Sequence, residues 1–112
     1  MNLRYLLDTY FSAFSKKNIE KIAELISEDV VLKDWNIHEI GKADVLEATR
    51  QIFSTINKIE VTPICFYSIS ETSFAIQIEI RINFNKINRV IDLIEFDEHA
   101  KIKNITAYLS LD

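Results

Sequence analysis

Apolar residues recur with helical spacing from Leu3 to Ser15, at Leu3, Leu6, Leu7, Tyr10, Phe11 and Phe14, while Arg4, Asp8, Ser12 and Lys16 fall off the stripe. The spacing predicts an amphipathic helix. Asn18 is placed to cap a second, shorter helix, with Glu20 in its first turn and Ile19, Ile22, Ala23 and Ile26 as its apolar face. From Val30 to Trp35 the period drops to two: Val30, Leu32 and Asp34 share one face of a strand, and Val31, Lys33 and Trp35 the other. After Gly41 a third helix is expected to about Thr55, with Val45, Leu46, Thr49, Ile52, Phe53 and Ile56 on one side.

The second half reads as strands. Lys58 to Ser68 is rich in β-formers, although Pro63 demotes part of it to an edge or a bulge. Ser73 to Phe84 alternates most cleanly, Phe74, Ile76, Ile78, Ile80, Ile82 and Phe84 against Ala75, Gln77, Glu79, Arg81 and Asn83. Asn85-Lys86-Ile87-Asn88 is expected as a hairpin turn, Arg89 to Asp97 as the returning strand, Asp97-Glu98-His99-Ala100 as a turn, and Lys101 to Leu111 as the last strand. Helices followed by a meander of long strands predict an α+β domain, the helices packed on one face of a mainly antiparallel sheet.

Composition narrows the class. A chain of 112 residues makes a single domain, 1–112. The net charge of −4 argues against a nucleic-acid backbone or an anionic membrane as partner. The lone cysteine, Cys65, excludes an internal disulfide and suits a reducing compartment. No basic-then-apolar leader is visible at Met1-Asn2-Leu3-Arg4, and no window approaches the ~18 apolar residues of a membrane span. The expected location is the cytoplasm. With one glycine, Gly41, and one proline, Pro63, turns that need positive φ are expected to fall to asparagines, of which Asn18, Asn36, Asn57, Asn85, Asn88 and Asn104 lie near the inferred breaks.

Two acids break the pattern. Asp34 is in phase with Val30 and Leu32, and Asp92 with Val90, Ile94 and Phe96, so each carboxyl occupies a face otherwise given to apolar side chains. A buried carboxyl is costly unless it is paired, protonated or open to a cavity. Tyr10, a phenol within the first helical stripe, is a suitable hydrogen-bond partner. The bland readings are a core tyrosine and, for Asp34 beside Trp35-Asn36, a turn-forming residue. Asp92, mid-strand between Ile91 and Leu93, is less open to that reading.

These residues give the chain a likeness. It resembles the bacterial ketosteroid isomerases of the nuclear transport factor 2 superfamily, which also holds the SnoaL-like cyclases. The segment from Tyr10 to Asp34 aligns without a gap, with Asn18-Ile19-Glu20 where the family has Gly-Asp-Ile-Glu, then Glu28-Asp29 and Asp34. Val90-Ile91-Asp92, Phe96-Asp97-Glu98-His99, Ile102 and Ala107-Tyr108 resemble the family's last two strands. The resemblance implies a cone-shaped fold on a curved sheet, Asp34 as general base, and Tyr10 with a protonated Asp92 as oxyanion hole. It implies a substrate pocket drawing Phe14, Trp35, Thr49 and Phe53 from the first half, and Val90, Ile105, Ala107 and Leu109 from the second. Such a set suits isomerisation of a β,γ-unsaturated ketone: one carboxylate moves a proton beside the carbonyl, and strong donors hold the dienolate oxygen in a water-poor site.

The chain departs from the family at Ile26 and Thr49, where supporting tyrosines are common, at Trp35 in place of a proline, in a shorter loop Asn36 to Ile40, and at Leu109 in place of an aromatic. The implied substrate is a small hydrophobic ketone. A SnoaL-like cyclase or dehydratase using the same pocket, and a non-catalytic ligand-binding dimeric module, stay open as alternatives. His38 and His99 lack metal-ligand spacing and read as solvated, so neither metal nor cofactor is expected. Cys65 reads as a small core residue and Lys16-Lys17 as a solvated helix end. Glu79 and Arg81, with Ile91, Leu93 and Tyr108, lie off the pocket face, and a homodimer through this outer face is expected.

Overall fold

Asn2 and Asn18 start the first two helices in the same way. The side-chain oxygen of each accepts a hydrogen bond at 3.1 Å from the backbone N–H three residues on, that of Tyr5 and of Lys21. The structure, a computed structural model, describes residues 2–84 and 86–111. In chain order it has α1 (Leu3–Ser15), α2 (Ile19–Leu25), β1 (Ile26–Lys33), β2 (His38–Ile40), α3 (Lys42–Thr55), β3 (Ile59–Ser68), β4 (Ser73–Ile82), β5 (Lys86–Phe96) and β6 (Ile102–Leu109). The strands form one sheet in the order β2-β1-β6-β5-β4-β3, with β1 parallel to β6 and every other neighbour antiparallel. The α+β class, the three helices and the mainly antiparallel sheet are those the sequence predicts.

The core lies between the concave sheet face and the helices. α1 packs against β3, α3 against β1, and α2 touches both other helices. Leu7 and Phe11 from α1, Ile22 and Leu25 from α2, and Ile76, Ile94, Phe96 and Ile102 from the sheet are fully or almost fully buried. Irregular registers at Ile26/Val31, Pro63/Cys65 and Glu95/Phe96 bend the strands that carry them.

Pro63 has both features expected of it. β3 is an edge strand, and the ladder slips beside Pro63: Pro63 faces Ile78, but Cys65, not Ile64, faces Gln77. The extra residue reverses the alternation, so Val61 points inward before the slip and Phe66 after it, while Cys65 turns outward. Cys65 is therefore a partly exposed residue on the outer face, and no core residue.

Other boundaries differ from expectation. β1 begins at Ile26, and His38–Ile40, read as loop, pairs with β1. The β4–β5 turn falls earlier than expected. β4 ends at Ile82, Asn83 and Phe84 take positive φ of 52° and 69°, and Lys86, Ile87 and Asn88 are already strand, opposite Ile82, Arg81 and Ile80. Asn85 lies outside the described residues. Asn83 is anchored sideways: its backbone N–H donates to the Lys58 carbonyl at 2.9 Å, and its side chain accepts from the Lys58 N–H at 3.0 Å. Among the described residues positive φ falls on Lys17, Gly41, Asn83, Phe84 and Ala100, not on the asparagines singled out. Asn18 is a cap instead, and Asn88 and Asn104 sit in strands. Gly41, at φ 95°, opens α3 in a conformation that a side chain would strain.

Candidate functional site

Strand pairing alone brings the two anomalous acids into one row. Leu32 lies level with Ile105 and Lys33 with Thr106, so Asp34, one residue past β1, comes level with Ala107. Ala107 in turn pairs with Asp92. The acids stand two strand spacings apart, about 9–10 Å between main chains, on either side of a methyl group. A larger side chain than Ala107 would fill that space. From above, α1 lowers Tyr10 and Phe14, and α3 lowers Thr49, Ile52 and Ile56. The cavity, partly open to solvent, is about 170 Å³, close to the ~150 Å³ hole that accommodates benzene.

Of the residues proposed for the pocket, Phe14, Trp35, Thr49, Val90, Ile105 and Ala107 line this cavity together with Tyr10, Asp34 and Asp92. Phe53 and Leu109 do not. Phe53 stands behind the wall, its ring edge-on to Phe14 at 5.0 Å, and Leu109 shares the inward phase but lies at the sheet end, 38% exposed.

The polar groups differ sharply in environment. Tyr10 and Asp92 are each only 7% exposed, and neither the phenol nor the carboxyl hydrogen-bonds to any described residue. Burial pushes the Asp92 carboxyl up to about 7, and the charge of Asp34 pushes in the same direction. Burial, then the charge of Asp92, raises the Tyr10 phenol far above its ordinary value. Below neutral pH the site thus presents a neutral phenol beside a largely protonated acid, both able to donate.

Asp34 is half-buried and partly committed. Its Oδ1 accepts from the N–H of Asn36 at 2.7 Å and of Ile37 at 2.6 Å, and its own N–H donates to the Ile37 carbonyl. It therefore makes the turn into β2 and lines the cavity at once, with Oδ2 free of hydrogen bonds to the described residues. Thr49, 3% exposed, donates its hydroxyl to the Val45 carbonyl at 2.8 Å, so towards the cavity it offers a lone pair and no proton. Ile26 is buried away from the cavity against the β6 register at Ile102.

Two residues escaped the sequence reading. Asn88 lines the cavity, in phase with Val90 and Asp92; placing the turn too late hid it. Lys17 is no solvated residue: its Nζ donates to the carbonyls of Phe53 at 2.9 Å, Asn57 at 3.1 Å and Ile56, closing the C-terminal end of α3 beside the cavity wall. No sequence period marks such a cap. His38 and His99 are exposed, and among the described residues no group of three His, Cys, Asp or Glu is arranged to hold a metal ion. No helix among them is long and apolar enough to cross a membrane.

Neither a family model nor a curated protein matches the chain. Solved structures do. An NTF2-like protein of unknown function from Cytophaga hutchinsonii is similar at a TM-score of 0.82 and 13% identity, over 98% of this chain and 91% of that one. A protein from Kribbella flavida described as a candidate ketosteroid isomerase gives 0.85 and 17%, over 98% and 78%. An LEH-like epoxide hydrolase from M. tuberculosis gives 0.81 and 11%, over 96% and 81%. The fold is the nuclear transport factor 2-like cone. At these identities the likeness carries the fold, and structures so named span more than one activity.

Proposed function

We propose that the chain is an isomerase-like enzyme that moves a proton α to the carbonyl of a small hydrophobic ketone. Asp34 is the base, through its free Oδ2, and Tyr10 with neutral Asp92 receives the developing oxyanion. The observation that carries this reading is the pair of buried donors, Tyr10 and Asp92, which make no side-chain hydrogen bond to the described residues and open on the same apolar cavity as a carboxylate oxygen. Donors held in a dry site where charge develops stabilise a dienolate far better than water does. The cavity volume favours a one- or two-ring ketone over a larger one.

Asp34→Asn is a clean test, because asparagine keeps an oxygen for the Asn36 and Ile37 amides while losing the base. Double-bond migration in a small β,γ-unsaturated ketone, followed by ultraviolet absorbance, should fall about 10²–10⁴-fold. Wild type that turns over no faster than buffer sinks the isomerase reading. Binding of a phenol mimicking the dienolate should weaken in Tyr10→Phe and Asp92→Ala. It should also weaken as pH rises through about 7, where Asp92 loses its proton.

One observation favours a second reading, a non-catalytic ligand-binding module. Two amide bonds already give Asp34 a structural reason to be an aspartate. Phenol binding in wild type without turnover of any tested ketone would support it. For either reading we propose a homodimer through the outer sheet face, where Ile91, Tyr67 and Tyr108 are 37%, 56% and 58% exposed. Sedimentation of wild type and Ile91→Glu tests this: a dimer that Ile91→Glu dissociates is expected, and a monomeric wild type refutes it.

A further inference from the structure

We propose that Asn88 is a second recognition point, selecting ligands that carry a hydroxyl or carbonyl group at the end opposite the reacting ketone. This deepens, and rests on, the reading of Tyr10 and Asp92 as the oxygen-binding floor. Asn88 and Asp92 share the inward face of β5 with only Val90 between them in phase, which separates their backbones by about 13 Å. The stretch between them is walled by Ile78 and Ile80 of β4 and Val61 of β3, with no other polar side chain from those strands, and one row beyond Asn88 the cavity is lined by Ile59 and Ile82. Between Asp92 and Asn88 the cavity is thus a slot with an apolar wall and a polar group at either end of that wall.

Asn88 stands near the mouth of that slot, one row inside Ile59 and Ile82. The β5–β6 ladder has its last pair at Val90 and Leu109, so on that side Asn88 projects past the paired sheet, while on the other it faces Ile80. It is half-buried, and its amide makes no hydrogen bond to any described residue. An amide offers two donors and an acceptor, so it can meet either a hydroxyl or a carbonyl. A floor that takes one oxygen and a mouth that takes another together fit an elongated two-ring ketone oxygenated at both ends.

The test compares 4-phenylphenol with 4,4′-dihydroxybiphenyl by calorimetric titration of wild type, Asn88→Ala, Asn88→Leu, Tyr10→Phe and Asp92→Ala. Wild type should prefer the diphenol about three- to tenfold beyond the statistical gain of its two equivalent ends. Both Asn88 variants should lose that preference while keeping their affinity for 4-phenylphenol. A preference that survives in both, or is absent from wild type although 4-phenylphenol binds in a Tyr10-dependent way, overturns the role of Asn88 alone. If 4-phenylphenol binding is indifferent to Tyr10→Phe and Asp92→Ala, the floor is wrong and the mouth reading falls with it.

Discussion

β5 turns one face towards the helices along its whole length, yet its two halves meet opposite surroundings. At the closed end Ile94 and Phe96 are 1% and 2% exposed, with Phe96 edge-on to Phe74 at 6.1 Å. At the open end the same face carries Asp92, Val90 and Asn88 and looks into a cavity. Alternation along the strand is identical in both halves. The difference comes from what stands opposite: beside Asp92 the neighbouring strand offers only Ala107, whereas Ile94 faces Ile105 and Phe96 faces Ile102. Packing can hide an inward-facing position or leave it empty, and chemistry becomes possible only where it is left empty.

The comparison can be broken most forcefully at the closed end. Phe96→Ala should cost about 3–5 kcal/mol in denaturant unfolding, because a fully packed site collapses poorly around the hole. An equal loss from Leu32→Ala, at the cavity, would mean that the two ends are packed alike. The next effect belongs to Asp92 and is pH-dependent. Between about pH 4 and pH 7 the folded protein holds a proton on Asp92 that the unfolded chain has lost, so stability falls as pH rises. The fall should reach about 4 kcal/mol and level off above pH 7. Asp92→Asn should abolish that slope and be the more stable protein at pH 8; parallel profiles for the two proteins would show that burial does not hold the proton there.

Lys17 tests how the roof of the open end is held. Lys17→Met keeps the apolar stem and removes the donors to the α3 carbonyls, which should cost about 1.5–3 kcal/mol and speed amide exchange at the end of α3. The smallest contrast is a methyl group. Ile94→Val should cost about 0.5–1.5 kcal/mol, and Ile80→Val clearly less, since a cavity wall has fewer partner atoms to lose.

Three aspartates show how far a sequence can be read. Asp92 stood out because it is mid-strand in an apolar phase, and its burial is the consequence of that phase. Asp97, just past the same strand, accepts from the Lys101 and His99 amides, and the Lys101 amide above all holds its carboxyl below the usual range. Asp34 combines the two situations, turn and cavity, so both of its sequence readings describe it. Asn88 was missed for a local reason: whether a hairpin turns at Asn83 or at Asn85-Asn88 depends on the Lys58 anchor, which no run of neighbouring residues contains.

Periodicity by itself determined the three helices and the succession of long strands, the inward face of these elements save β3 beyond Pro63, and the presence of two acids where apolar groups belong. These are properties of neighbouring residues, and a period of two or 3.6 records them. Tertiary structure alone decided that Asp34, Ala107 and Asp92 form one row, that Pro63 reverses the face of β3, that Lys17 closes α3, and that Asn88 faces the cavity. Each depends on register between segments far apart in the chain, where one residue of slip exchanges inside for outside.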